Sequence, residues 1–323
     1  MPKGVSIFKR KMSKQSKPLS IIYNHNSGFR ITGQQELYTE LTNIFASHGY
    51  DTQAFEINTP EQFKLIMQQV LERHSQASDK GIVVAAGGDG TLNAVAKYLL
   101  NTPIPVGILP MGTFNYVARR LHIPLELLEA AQVIVTGQAK RIHVAQINQD
   151  IYLNNASLGL YPLFIKKRED YNRLFGRLPL HAYTSALDVL IRNHKELKLE
   201  IWIDQKKYPV KTPLIFFGNN PLQLEEMKMR IAQAAEQGKV AGVVVAKSDK
   251  LTLFRLVYQL IRGKIDQASD VYSFAADHVC IKAGRHKLMV AIDGETVEMT
   301  PPLNIAVLKN SLSVMVPYDS TSL

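Results

Sequence analysis

Residues 81–93 read GIVVAAGGDGTLN, a short apolar run followed by a cluster of glycines. The run at 82–86 predicts a buried strand, and the stretch from Leu92 onward predicts a helix. The glycines between them allow positive φ and a close approach of the backbone to a ligand. A glycine turn at a helix N-terminus presents unpaired N–H groups and the positive end of the helix dipole, which favours phosphate.

The same turn contains a carboxylate, Asp89. A carboxylate repels phosphate unless a cation lies between them, and Mg²⁺ is commonly held by one or two carboxylates together with substrate phosphates. The stretch therefore predicts a Mg²⁺–nucleotide site rather than a simple phosphate cradle.

A second stretch repeats this arrangement. Residues 104–109 predict another buried strand, which ends in the turn Gly112-Thr113-Phe114-Asn115 before a helix containing Ala118. Upstream, strands at 19–23 and 52–57 alternate with helices at 35–48 and from Thr59 onward. Alternating strands and helices indicate a parallel sheet with its ligand loops at the carboxyl ends of the strands.

The pattern changes near Lys140. From Arg141 onward period-two alternation predicts strands at 142–147, 199–203, 279–282 and 288–292. Helical stretches at 183–191, 222–237 and 254–261 interrupt them. At 323 residues the chain exceeds the usual domain size of about 150, so two domains are expected.

Composition limits the function classes. No apolar run approaches the roughly 20 residues that a membrane span needs. A single cysteine, Cys280, excludes an internal disulfide and fits a reducing, cytoplasmic compartment. The net charge is +10, but the seven basic residues before Glu36 carry most of it. Because the rest of the chain is nearly neutral, nucleic-acid binding is not favoured.

The basic N-terminal arm has two interpretations. Val5, Phe8 and Met12 could share one face of a helix lying on anionic lipid, or the arm could be a disordered solubilising tail. The segment 163–178, in which basic and aromatic residues are interleaved, could likewise dock onto a negatively charged surface or form a solvated helix.

Five elements, in order, resemble the diacylglycerol kinase family of lipid kinases, which also includes sphingosine kinases and is more distantly related to NAD kinase. They are the turn from Asn24 to Gly28, the turn from Gly87 to Thr91, the turn from Gly112 to Asn115, the segment from Asn155 to Gly159, and Asp293-Gly294-Glu295. Without the resemblance, an Asp-Gly-Glu triplet would be interpreted as a hairpin turn.

The resemblance implies an α/β fold with an N-terminal three-layer nucleotide-binding domain and a C-terminal β-sandwich domain. The expected division is a basic arm at 1–17, the nucleotide-binding domain at 18–140, the sandwich at 141–304, and a segment at 305–323 that returns to the first domain. It also implies transfer of the γ-phosphoryl group of ATP, with Mg²⁺, to the hydroxyl of a lipid at a membrane surface. A homodimer is left open.

The resemblance and the residue chemistry together predict the site. Glu295 is the expected proton acceptor, with Asp293 and Asp89 as further catalytic carboxylates, Asp89 acting through nucleotide-bound Mg²⁺. The predicted ATP-binding residues are Asn24, Asn26, Ser27, Gly28, Thr59, Gly87, Gly88, Asp89, Gly90, Thr91, Leu92, Asn93, Gly112, Thr113 and Asn115.

Two positions depart from the family pattern. Tyr116 stands where the family commonly has a carboxylate after Asn115. The stretch at 237–241 replaces an acidic stretch that holds a structural Mg²⁺ in bacterial members, so we predict that this site is absent or occupied by Lys239. These departures leave a non-catalytic nucleotide- or lipid-binding role as one alternative. Kinase activity on a soluble substrate such as NAD is another, because NAD kinase shares the Gly-Gly-Asp-Gly element.

Overall fold

The computed structural model describes residues 17–24, 35–160, 162, 196–246, 249, 252, 255–256, 258–259 and 268–318. The basic arm before Lys17, the segment 163–178 and the helical stretch at 183–191 lie outside these residues, as does half of the stretch at 254–261. The interpretations given to them stay predictions.

The first part of the chain alternates strands and helices, as expected. Its strands are β1 (Lys17–Asn24), β2 (Tyr50–Ile57), β3 (Ile82–Gly87) and β4 (Val106–Pro110), and its helices are α1 (Gln35–Ser47), α2 (Pro60–Gln76), α3 (Asp89–Leu99), α4 (Tyr116–Arg120) and α5 (Leu127–Thr136). β3 and β4 are buried along their whole length, which explains their continuous apolar sequence.

The remaining elements are mostly strands. They are β5 (Gln138–Ile147), β6 (Asp150–Tyr152), β7 (Asn155–Gly159), β8 (Leu197–Ile203), β9 (Lys206–Thr212), β10 (Leu214–Gly218), α6 (Pro221–Glu226), α7 (Ala232–Glu236), β11 (Val240–Val245), β12 (Val271–Ala276), β13 (His278–Ala283), β14 (Leu288–Ile292), β15 (Glu295–Met299) and β16 (Leu303–Val316).

The parallel strands follow the order β2-β1-β3-β4. β2 and β3 lie on opposite sides of β1, so the strand order reverses there. In such sheets ligands bind outside the carboxyl ends of the strands at the point of reversal. That point lies between Asn24, which ends β1, and Gly87, which ends β3.

Two sheets pack face to face in the second part. The ten-stranded sheet continues from β4 through β16, β13 and β8 to β9, and an antiparallel six-stranded sheet has the order β12-β11-β10-β7-β14-β15. Alternate residues such as Leu158, Phe217, Val279 and Val290 fill the shared core. The predicted α/β domain followed by a β-sandwich is confirmed.

The helix predicted at 222–237 is corrected. Two short helices, α6 and α7, replace it, because Lys228 takes a left-handed conformation with φ of 54°. The Met229 N–H then bonds the Leu224 carbonyl and the Lys228 N–H bonds the Glu225 carbonyl, a pairing that closes a helix C-terminus. Among the described helices, none combines the length and hydropathy that a membrane span requires.

Candidate active site

The two glycine turns pack backbone to backbone. The Met111 N–H donates to the Gly87 carbonyl oxygen at 3.0 Å. A Cβ atom added to Gly112 would lie 2.5 Å from the Cα of Gly88, so the turns leave no room for a side chain between them. The structure thus brings together two turns that the sequence places some two dozen residues apart.

Asp89 links the first glycine turn to the second through hydrogen bonds. It is the first residue of α3, and its carboxylate accepts the N–H groups of Tyr116 and Val117 at 3.2 Å each, at the start of α4. A carboxylate has about four acceptor sites, so both oxygens keep acceptor capacity after these bonds. The Asp89 side chain is therefore oriented by protein and still able to contact a cation.

Asn115 holds the second turn in shape. Its backbone is left-handed, with φ of 49°, and its side-chain amide exchanges two hydrogen bonds of 2.9 Å with the N–H and carbonyl of Gly112. Its side-chain amide is thus bonded within the turn, and the predicted contact of Asn115 with ATP stays a prediction. Thr113 beside it is exposed.

The Asp-Gly-Glu triplet is a hairpin turn between β14 and β15. Asp293 and Gly294 have φ values of 46° and 91°, as expected for a tight turn with two left-handed residues, and Ile292 pairs with Glu295 across it. The hairpin interpretation and the family interpretation thus describe the same turn. The turn's position in the fold, rather than its local shape, gives it a place at the site.

Glu295 reaches the first glycine turn from the second half of the chain. One of its carboxylate oxygens lies 3.3 Å from where a Cβ atom on Gly90 would stand. A cavity of about 350 Å³ opens beside this contact. Its lining residues include Gly90, Asn93, Lys97, Asp150 and Glu295.

Asp293 is enclosed by N–H donors. Its carboxylate accepts the Asn93 side-chain amide and the backbone N–H groups of Leu153, Asn154 and Asn155, at 2.8–2.9 Å. Burial raises the pKa of this carboxyl to about 6, although the backbone N–H donors act in the opposite direction. These contacts give Asp293 the geometry of a residue that holds the hairpin against β7 and α3.

Several predicted nucleotide contacts have other partners. Leu92 is buried in the core, and the Asn93 amide donates to Asp293 and to the Ile151 carbonyl. The Thr59 hydroxyl caps α2 by accepting the Gln62 N–H at 3.2 Å. Asn24 is exposed at the end of β1. Asn26, Ser27 and Gly28 lie outside the described residues.

Sequence reasoning missed a polar cluster in the second half of the chain. It comprises Asn154, Asn155, Asn219, Asn220 and Gln223, which exchange side-chain and backbone hydrogen bonds. Four of the five are less than a tenth exposed, and two Asn-Asn dipeptides in otherwise apolar surroundings were the available signal.

The donor set suits a nucleotide-borne Mg²⁺. Within the described residues no three His, Cys, Asp or Glu side chains form a protein-only metal cluster. Asp89 could supply one carboxylate, which is what Mg²⁺ requires when phosphates complete its coordination. At the 237–241 stretch, Gly238 has φ of 69° and faces the His143 ring. The predicted absence of a structural Mg²⁺ there stays a prediction.

Family models match nearly the whole described chain. The model described as "Diacylglycerol kinase catalytic domain" matches residues 18–147, and "YegS C-terminal NAD kinase beta sandwich-like domain" matches 166–316. A diacylglycerol kinase of Staphylococcus haemolyticus is 26% identical over 301 residues, covering 93% of this chain and 88% of that protein.

Two further proteins resemble this chain over different shares of their length. An uncharacterised protein of Synechocystis is 25% identical over 273 residues, which cover 82% of this chain and 62% of that protein, less than two thirds of its length. A crystal structure of a diacylglycerol kinase from Bacillus anthracis superposes with a TM-score of 0.62 at 18% identity, over 96% of this chain and 100% of that one. At that identity the superposition supports the fold alone.

Proposed function

The chain belongs to the diacylglycerol kinase family and is at that level a lipid kinase, and we propose that it transfers the γ-phosphoryl group of ATP, with Mg²⁺, to the hydroxyl of a diacylglycerol-like or sphingoid-like lipid at a membrane surface. The proposal rests chiefly on one observation. Glu295, from the second half of the chain, lies against Gly90 in the glycine turn that contains Asp89.

Phosphoryl transfer depends on positioning and charge neutralisation more than on covalent chemistry. In this proposal, backbone N–H groups between Gly88 and Thr91 hold phosphate oxygens, and the second turn at Gly112 fixes the shape of the first. Asp89 would hold nucleotide-bound Mg²⁺, which would supply positive charge to neutralise the phosphates. Glu295 is exposed in the cleft and accepts the proton of the attacking hydroxyl.

The test is a transfer assay on vesicles. Purified protein is incubated with labelled ATP, Mg²⁺ and neutral or anionic phospholipid vesicles that contain diacylglycerol, a sphingoid base or a prenol. We expect label in one lipid class, with faster transfer on anionic vesicles because the chain is basic. Absence of labelled lipid across the whole panel would contradict the proposal.

A matched pair of variants tests the role of Glu295. Glu295→Gln keeps the shape but removes the proton acceptor, so we expect kcat to fall by about 10²–10⁴-fold. Glu298→Gln changes an exposed glutamate further along β15, which pairs with Lys287, and should leave kcat unchanged. Equal rates for Glu295→Gln and the unchanged protein would remove Glu295 from the chemistry.

The two alternatives predict other outcomes of the same experiments. A kinase for a soluble acceptor would label NAD in the absence of vesicles. A non-catalytic member would bind ATP without transfer, and Glu295→Gln would then have no activity to change.

A further inference from the structure

The cavity beside Glu295 runs along one face of α3. Four residues of the helix that share this face line the cavity: Gly90, Asn93, Ala94 and Lys97. At one end of the row Gly90 meets the Glu295 carboxylate. Lys97 lies two helical turns beyond Gly90, which is about 10 Å at the rise of an α-helix. The cavity therefore connects the proposed proton acceptor with a cation further along the helix.

Lys97 is held in place by an ion pair with β6. Its Nζ atom donates to the Asp150 carboxylate at 2.8 Å, and both side chains are about half-exposed. One helical turn earlier, the Asn93 side-chain amide donates to the Ile151 carbonyl at 3.1 Å. These two neighbouring contacts fix the position of α3 against β6. An ammonium group has three N–H donors, so after the bond to Asp150 Lys97 keeps donors for a ligand.

Most of the other polar groups around the cavity are already engaged. Among the lining residues that the structure describes, Lys97 is the only cation, and the carboxylates are Asp150, Asp293 and Glu295. Asp150 is paired with Lys97, and Asp293 accepts four N–H groups. The Asn93 amide donates to Asp293 and to a backbone carbonyl. Glu295 has to stay free if it is to accept a hydroxyl proton. Lys97 is therefore the charged donor that is left for a ligand.

The volume of the cavity and the ion pair at its far end limit what fits. At about 350 Å³ the cavity lies at the small end of ligand pockets, which span about 300–1,000 Å³. That is room for the head group of a lipid rather than for its acyl chains. An alkyl chain that reached Lys97 would take water from the Lys97–Asp150 pair without replacing its hydrogen bonds, which is costly. The far end therefore suits a ligand whose oxygen atoms lie several bonds from the reacting hydroxyl.

We infer that Lys97 and Asp150 form a head-group subsite for the acceptor, in which Lys97 donates to an ester carbonyl oxygen of a diacylglycerol-like lipid and Asp150 orients the Lys97 ammonium. The inference rests on the proposed kinase function and narrows its acceptor. A sphingoid base carries its amino group and second hydroxyl close to the reacting hydroxyl and continues as an alkyl chain, so it would present hydrocarbon to the ion pair. Lys97 is thus a specificity-determining residue that favours the glycerolipid.

Lys97→Met removes the ammonium group and keeps an unbranched side chain of similar length. Ion pairs at the surface contribute little to stability, so the variant should fold. We expect KM for dioctanoylglycerol to rise about tenfold, the effect of a lost hydrogen bond from a charged donor, with kcat and KM for ATP unchanged. Lys97→Arg keeps charged donors and should retain most of the affinity. The control is Lys287→Met, which removes an exposed lysine paired with Glu298 at 2.9 Å and should change none of these constants.

The choice of acceptor gives a second test. For the unchanged protein we expect kcat/KM for dioctanoylglycerol to exceed that for sphinganine. Lys97→Met should reduce this ratio about tenfold, because only the glycerolipid loses a contact. An unchanged ratio, a preference of the unchanged protein for sphinganine, or an effect on kcat or on KM for ATP alone would overturn the inference.

Chemical protection of Lys97 measures occupancy of the subsite without any transfer. The protein is treated with acetic anhydride, with and without dioctanoylglycerol, and acetylation of Lys97 and Lys287 is measured by mass spectrometry. Dioctanoylglycerol should slow the acetylation of Lys97 severalfold and leave that of Lys287 unchanged. Protection without any lipid phosphorylation would refute the proposed function and leave the subsite standing. Phosphorylation of dioctanoylglycerol without protection of Lys97 would do the reverse.

Discussion

Asp293 and Glu295 lie two residues apart in one hairpin turn, but their different surroundings suit the two carboxylates to different roles. Glu295 is exposed beside Gly90, and in the proposed transfer it meets the attacking hydroxyl there. Asp293 faces four N–H donors, one from α3 and three from residues 153–155, which lead into β7. A carboxylate with this many partners is suited to holding structure, while one with free acceptor sites is suited to proton transfer.

The pKa of Asp293 predicts how stability depends on pH. Burial raises this pKa from 3.8 to about 6. Between these two pH values the Asp293 carboxyl therefore binds a proton more tightly in the folded protein than in the unfolded chain. The free energy of unfolding of the unchanged protein, relative to Asp293→Asn, should therefore fall by at most about 3 kcal/mol as pH rises from about 4 to about 6, and stay constant above.

Urea unfolding of both proteins between pH 4 and pH 8 measures this difference. A difference that grows with rising pH would mean that the N–H donors outweigh burial and hold the pKa of Asp293 below its ordinary value.

At the scale of elements, the site is built from pairs of turns rather than from single loops. The turns after β3 and β4 touch through glycine backbones, and the β14–β15 hairpin meets the first of them. α3 begins at Asp89, and the Asp89 carboxylate accepts the N–H group of Tyr116, the first residue of α4. A substitution that displaces one of these turns should therefore displace the others as well.

Gly112→Ala tests this dependence. The added Cβ would lie 2.5 Å from the Gly88 Cα and 2.8 Å from the Asn115 side-chain oxygen, so the turns must separate. We expect kcat/KM for ATP to fall by about 10²-fold, because the reacting groups would be misplaced by on the order of 1 Å. Gly284→Ala is the matched control, since its Cβ would meet nothing within 4 Å. Equal steady-state kinetics in the two variants would contradict the close packing of the turns.

At the scale of the whole molecule, β16 connects the two halves. It runs parallel to β4 at Val314 and antiparallel to β13 around Ile305, while β5 pairs along most of its length. The strands that carry the two glycine turns therefore belong to the same continuous hydrogen-bonded sheet as one layer of the β-sandwich. Binding at the cleft should stabilise the molecule as a unit.

Thermal unfolding with ligands measures that coupling. At free ATP–Mg²⁺ of about 100 times the dissociation constant, stabilisation should be about 2.7 kcal/mol, a rise in Tm of about 4 °C. With EDTA the rise should vanish, because phosphate charge would then face Asp89 without a cation. Asp89→Asn should also lose most of the shift. An equal shift in EDTA would rule out a Mg²⁺ requirement for binding.

Short-range chemistry explains what could be predicted from the residues alone. The strand-turn-helix at Gly87, the second turn at Gly112 and the hairpin at Asp293 each depend on neighbouring residues: a buried apolar run, a glycine, an Asp-Gly pair. The helix break at Lys228 was missed because a left-handed lysine has no local signal of that kind.

The orientation of each polar atom was decided by tertiary structure. Asn93 and Asp293 are 200 residues apart in sequence, and Asn155 is 138 residues from Asp293, yet both amides bond the same carboxylate. The sequence by itself determined the turns and the change from alternating strands and helices to a strand-rich half, since these need only local patterns, while the β-sandwich was expected from the family resemblance. Only the packed sheets decided that Glu295 lies exposed beside Gly90 while the Asp293 carboxylate is occupied, because the N–H donors that bond Asp293 are supplied by distant elements whose register is set by the whole fold.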